Sequence, residues 1–167
     1  MADPKGFLKH DREVATRRPV EERVQDWNEV YPGGAGRALL PIITERLPRL
    51  GAIGDLVGFL WVDDLAIEPA LLVPKRWDVA TTTEGLVAAR HTIADVGAVA
   101  FEADELEPPL RALAEGRGWK VGDLFMAIRV AVTGRTATPP LFDTLVALGH
   151  DRTLERLDRA IEILSAG

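Results

Sequence analysis

The stretch Ile128-Arg129-Val130-Ala131-Val132-Thr133-Gly134-Arg135-Thr136-Ala137-Thr138-Pro139-Pro140-Leu141-Phe142 sets two arginines around a glycine turn that leads into a new helix. Two kinds of recognition suit such a turn. The unpaired N–H groups of a helix N-terminus attract phosphates and base edges. A guanidinium forks onto phosphate and also stacks on a base. Leu141 and Phe142 stand one turn into that helix, where they either wedge against a splayed base or fill the core. The chemistry these residue types suit is binding of an anionic, ring-bearing ligand.

Signatures of catalysis are missing elsewhere. The three histidines are His10, His91 and His150; His91 has Val87 and Asp95 four residues to either side, a surface pairing rather than two imidazoles on one helix face. Asp63 and Asp64 are adjacent and so share no helix face, which makes them a cap or turn rather than an acid–base pair. The lone serine, Ser165, lies at the C-terminal end, and with no cysteine there is no thiolate nucleophile, thiolate metal site or disulfide. The glycine cluster Pro32-Gly33-Gly34-Ala35-Gly36 lacks the spacing of a phosphate-binding loop and reads as a linker. Tyr31, Trp61, Trp77 and Trp119 are spread singly, so no aromatic platform for RNA is visible. The expectation is no catalytic residue, no metal and no cofactor.

The elements that must position the arginines are helical. Residues 1–20 are polar with mixed charge and read as an arm; Glu21–Tyr31 has Val24, Trp27 and Val30 on one side. From Arg37, Leu39, Leu40, Ile43, Leu47 and Leu50 recur at helical spacing, limited by Pro41 and Pro48. Ile53–Trp61 reads as a short apolar helix, and residues 67–75 as a loop with a helical turn between prolines. Thr81-x-x-Glu84 has the capping-box form and is expected to open a helix to about Val96, with Leu86, Ala89, Ile93 and Val96 inward. Four more helices are predicted: Asp104–Glu115, Val121–Val132, one capped by Thr138 with Pro139 at its first position, and Asp151–Leu164 with Leu154, Leu157, Ile161 and Leu164 inward. No stretch alternates apolar and polar residues as a strand does. The class is all-α, in two small helical-bundle subdomains meeting near residues 97–101, behind an extended N-terminal arm.

Length and composition bound the rest. The chain has 167 residues, 47% of them hydrophobic, and a net charge of −6. No apolar run approaches the roughly 18 residues of a membrane span, and the N-terminus lacks the apolar core of a signal peptide. A soluble, cytoplasmic protein is expected, with no membrane partner. Acidity argues against indiscriminate binding to nucleic acid. It is unevenly placed, however. Glu102, Asp104, Glu105 and Glu107 have no base among them, whereas residues 111–167 carry a slight positive excess and are the better face for an anion.

From about Leu40 to Leu164 the chain resembles the C-terminal, anticodon-binding region of bacterial glutamyl-tRNA synthetase. The matching residues are Thr44-Glu45-Arg46-Leu47, Leu60-Trp61-Val62-Asp63, Leu72-Val73-Pro74-Lys75 and Leu124-Phe125-x-x-Ile128-Arg129-Val130-Ala131-Val132-Thr133-Gly134. Thr138-Pro139-Pro140-Leu141-Phe142, Leu148-Gly149 and Thr153-Leu154-x-Arg156-Leu157 complete it. The resemblance implies helical subdomains of the class I synthetase anticodon-binding type at 37–97 and 98–167, the second contacting the anticodon of glutamate tRNA. It places Arg129, Thr138, Pro139, Leu141 and Phe142 nearest the anticodon loop. Arg135 joins them on local chemistry alone. The family's nucleotide-binding signatures are not found, so a non-catalytic tRNA-binding module is expected.

Residues 1–36 resemble something else. Gly6-Phe7-Leu8, Arg17-Arg18-Pro19-Val20-Glu21-Glu22-Arg23 and Asp26-Trp27-Asn28-Glu29-Val30-Tyr31 are similar to the N-terminus of the glutamate synthase small subunit, a family that continues into cysteine motifs this chain lacks. That resemblance implies a second possibility: a protein-interaction or regulatory module whose arm docks a protein partner, with RNA binding lost.

Overall fold

A computed structural model describes residues 58–166, apart from the Trp61 side chain. The predicted arm, the helix at Glu21–Tyr31 and the segment from Arg37 to Val57 lie outside the described residues. A short 3-10 helix, Gly58–Trp61, is followed by α1 (Pro69–Leu72), α2 (Val79–Val96), α3 (Ala103–Gly116), α4 (Val121–Thr133), α5 (Leu141–Leu148) and α6 (His150–Ser165). No strand occurs among the described residues, and none of their helices is long and apolar enough to cross a membrane.

Helix α4 is the axis of the packing. A helix with one apolar stripe lies on a surface, whereas one apolar nearly all round is enclosed. Leu124, Ala127, Ile128, Val130, Ala131 and Val132 are all fully buried, and α4 touches each of the other helices α1, α2, α3, α5 and α6. Each fully buried leucine or isoleucine contributes about 1.5–3 kcal/mol. Leu86, Ala89 and Ile93 bury one face of α2; Leu157, Ala160 and Leu164 bury one face of α6, with Leu154 and Ile161 half-buried beside them.

Helices α2 and α6 pack along each other and are joined by Arg90, whose Nε and Nη2 donate to Asp158 at 2.6 and 3.0 Å. One buried core therefore runs across residues 97–101, the place where the sequence suggests two subdomains meet.

Two helix starts differ from the sequence expectation. Thr81 does not open α2. Asp78 does, accepting a hydrogen bond from the Thr81 backbone N–H at 2.7 Å, so the cap lies three residues earlier than expected and the helix begins at Val79. A carboxylate two or three residues ahead of free N–H groups serves better than a hydroxyl already inside the first turn. The Thr81 and Thr82 side chains are then unneeded as caps, and Thr82 donates back to the Asp78 carbonyl at 2.7 Å.

The Thr81 bond holds the Asp78 carboxyl below its ordinary value of 3.8. A lowered acid stabilises the fold when ionised. Its contribution is complete above 3.8 and fades as pH falls through the lower folded value. Asp78→Ala is expected to melt below the parent at neutral pH, with the gap closing as both are taken well below 3.8. A gap independent of pH in thermal melts followed by circular dichroism contradicts the charged cap.

The second difference lies at α5. Thr138 and Pro139 are not its cap and first residue; the helix starts at Leu141 with Pro140 as N-cap. Thr138 Oγ1 instead donates to the Pro139 carbonyl at 2.9 Å, and Thr144 Oγ1, one turn inside the helix, donates to the Pro140 carbonyl at 2.9 Å.

Candidate nucleic-acid interface

Helix α4 ends where the candidate arginines begin. Its last turn closes on Gly134, which has φ 69° and donates its N–H to the Val130 carbonyl at 2.8 Å. A β-carbon at that position would meet the Ala66 carbonyl oxygen at 2.8 Å, so the backbone of the 62–67 segment passes directly against the turn. The hydroxyl of buried Thr133 donates to the Arg129 carbonyl at 2.7 Å and accepts from the Arg135 N–H at 3.1 Å. One side chain thereby fixes the backbone at both arginines.

A buried cation holds this end of α4 from behind. Arg156, only 6% exposed, donates to the carbonyls of Val132 at 2.6 Å, Phe59 at 2.7 Å and Val62 at 2.7 Å. Helix-terminal carbonyls lack intrahelical partners, and here one guanidinium satisfies Val132 together with two carbonyls of the 59–62 segment. Burial pushes Arg156 down to about 10, still a cation at neutral pH. Arg152 extends the clamp, donating to the Leu60 carbonyl at 2.7 Å and to Asp63 at 2.8 Å, and Arg159 pairs with Asp64 at 2.6 Å. Asp63 and Asp64 are thus ion-pair partners in a turn.

Against that background Arg129 stands apart. Arg76, Arg90, Arg111, Arg117, Arg152 and Arg159 each pair with a carboxylate, and Arg156 is satisfied by carbonyls. Arg129 is half-buried, and its Nε is buried with no hydrogen-bond partner among the described residues. Burial lowers its pKa below the ordinary arginine value, with no opposing charge from the described residues to offset it. A desolvated donor without an acceptor costs about 1–3 kcal/mol. Arg135, exposed in the loop, has no carboxylate partner among the described residues either.

The remaining sequence-predicted residues divide. Thr138 is half-buried and turned onto Pro139. Pro139 and Leu141 are buried, Leu141 at 4%, so their side chains shape the loop from inside. Phe142 is half-buried and meets Phe125 edge-on, centroids 5.1 Å apart, so it is partly core and partly surface. The N-cap of α5, Pro140, makes no side-chain hydrogen bond to the helix, so among the described residues the first-turn N–H groups have no side-chain cap. Thr133 and Arg156 were not singled out as functional in the sequence. Their partners are backbone carbonyls and N–H groups, which carry no residue signature. Among the described residues no group of three or more His, Asp or Glu is placed to hold a metal ion.

The fold is that of a small all-helical domain, and the chain belongs to the anticodon binding domain family, whose sequence profile matches residues 18–161. Similar proteins are glutamate–tRNA ligases: that of Roseiflexus castenholzii is 49% identical over 128 residues, covering 77% of this chain and 25% of its own length. Those of a second Roseiflexus strain (51% over 122 residues, covering 73% of this chain and 24% of its own length) and of Chloroflexus aurantiacus (44% over 130, covering 76% and 25%) agree. The chain spans about a quarter of the length of these curated relatives. In fold it is similar to the crystal structure of a glutamate tRNA ligase from Elizabethkingia meningosepticum in complex with its amino acid, with a TM-score of 0.70 at 22% identity over 87% of this chain and 28% of that one. The family match begins inside the segment 1–36 likened to glutamate synthase, and these relatives lend that resemblance, and a protein partner through it, no support.

Proposed function

We propose that the chain is a tRNA-binding module that reads the anticodon loop of glutamate tRNA through the end of α4, the 134–140 loop and the start of α5. The observation that carries the reading is Arg129, half-buried and without an acceptor for its guanidinium among the described residues. The side chain is still partly exposed, and a base edge or a phosphate of the RNA is the acceptor its guanidinium would meet. Arg135 offers the exposed charge for the backbone, Thr138 and Phe142 border the loop, and Pro139 and Leu141 hold it in shape from beneath. Residues 37–97 and 98–167 are, in this reading, the two subdomains of the anticodon-binding type, sharing one core. The module contributes recognition rather than aminoacylation, in keeping with a match to the anticodon-binding quarter of the ligases.

The net charge of −6 keeps non-specific attraction to RNA weak, so discrimination rests on a small, shaped contact. Arg129→Ala is expected to weaken binding to glutamate tRNA by about 1–3 kcal/mol, the range for one specific contact. Filter binding or gel shift across a salt series measures it. Equal retention of glutamate tRNA and an unrelated tRNA at about 150 mM salt overturns the reading.

A further inference from the structure

Around Phe125 lies a group of side chains from three helices. Phe125 stands one turn before Arg129 on the same face of α4. Its ring meets Phe142 of α5 edge-on at 5.1 Å and an interplanar angle of 88°. From α3, the guanidinium of Arg111 lies over the same ring, 5.8 Å from its centroid. Arg111 Nη2 also donates to Glu107, one turn earlier on α3, at 2.5 Å. The guanidinium is therefore held on two sides, by an aromatic ring and by a carboxylate. Its side chain nevertheless remains 48% exposed.

We infer that Arg111 is a stacking residue, on which an unpaired base of the bound RNA rests next to the acceptor that satisfies Arg129. This rests on the RNA-binding reading above and adds to it a residue and a subsite. A guanidinium is planar and weakly hydrated, and it stacks on bases as it does on aromatic rings. The Phe125 ring lies near Arg111, and the exposed part of the guanidinium is available to a second ring. The Glu107 tether and the Phe125 ring restrict the guanidinium before the ligand arrives, which lowers the ordering cost of binding. Stacking is tolerant of base identity. Arg111 therefore supplies affinity at one nucleotide, and discrimination stays with Arg129 and the loop. A lysine at the same place keeps the charge and loses the plane.

The test uses the whole chain and a labelled anticodon stem-loop of glutamate tRNA, with affinity followed by fluorescence anisotropy across a salt series. Arg111→Lys is expected to bind about tenfold more weakly with an unchanged salt slope. An abasic substitution at one loop nucleotide is expected to weaken the parent to a similar degree and to have no further effect on the variant. Glu107→Gln, which loosens the tether but leaves the guanidinium, is expected to lose about two- to threefold. Arg111→Lys within twofold of the parent overturns the assignment, as does a tenfold loss that couples to no loop nucleotide. If Arg129→Ala weakens binding while Arg111→Lys does not, this inference fails and the RNA-binding reading stands. If the parent does not prefer this stem-loop to an unrelated one, both fail.

Discussion

Replacing Arg156 by methionine is expected to lower the stability of the folded chain by about 3–5 kcal/mol, the cost of leaving several buried carbonyls without their donor. Methionine fills much of the volume of the arginine stem, so the loss isolates the hydrogen bonds. The carbonyls of Val132, Phe59 and Val62 lose their donors together. Each is left as a desolvated acceptor, at about 1–3 kcal/mol apiece before the structure relaxes. Urea unfolding measures the effect as a shift of midpoint with little change of slope. Arg156→Lys keeps a cation but reaches fewer carbonyls from a single nitrogen, and is expected to fall between parent and methionine variant. A methionine variant within 1 kcal/mol of the parent shows that the clamp contributes little. The functional consequence follows from position. Arg156 ties the last turn of α4 to the 59–62 segment, so loosening it releases the end of the helix that carries Arg129 and Arg135.

Gly134→Ala is expected to destabilise by about 2–3 kcal/mol, and the same added methyl group at Gly122 is expected to stabilise by up to about 1 kcal/mol. The two glycines stand at opposite ends of α4. At Gly134 the backbone has φ 69°, where an L side chain is strained by about 1–2 kcal/mol. Its β-carbon would also press on the Ala66 carbonyl oxygen at 2.8 Å, a backbone atom that cannot rotate away. At Gly122 the conformation is helical and nothing lies within 4 Å, so alanine mainly restricts the unfolded chain. Thermal or urea melts of both variants give the comparison. A Gly134→Ala variant as stable as the parent means that the 62–67 segment moves aside freely. Because the strained turn positions Arg135, the variant is also expected to lose affinity for glutamate tRNA under conditions where it remains folded.

Much of the fold was legible without coordinates because helices declare themselves locally. The recurrence of Leu86, Ala89 and Ile93, or of Leu157 and Leu164, marks a buried face from spacing alone, and the glycines at 134 and 149 mark where helices must stop. Starts were harder to read than bodies. Thr81 and Thr138 both have cap chemistry, yet Asp78 caps α2 and α5 begins after Pro140. A hydroxyl or carboxylate caps only where the chain before it is extended and aims it at free N–H groups, a matter of backbone dihedrals that residue type constrains weakly.

The candidate site divides along the same line. By itself the sequence determined that two arginines bracket a glycine turn before a helix, that this third of the chain is the less acidic one, and that no cysteine or serine chemistry competes with binding. Which arginines are free to bind was decided by the tertiary structure alone. Arg129, Arg152, Arg156 and Arg159 are the same residue type on helices of similar pattern. Arg156 is consumed by carbonyls 24 to 97 residues away in the chain, Arg152 and Arg159 by the turn at Asp63 and Asp64, and Arg129 is half-buried with no acceptor for its Nε among the described residues. The physical reason is that burial and backbone acceptors arise from segments distant in sequence. Every residue carries the same carbonyl, so nothing in the order of side chains records which of them an arginine will meet.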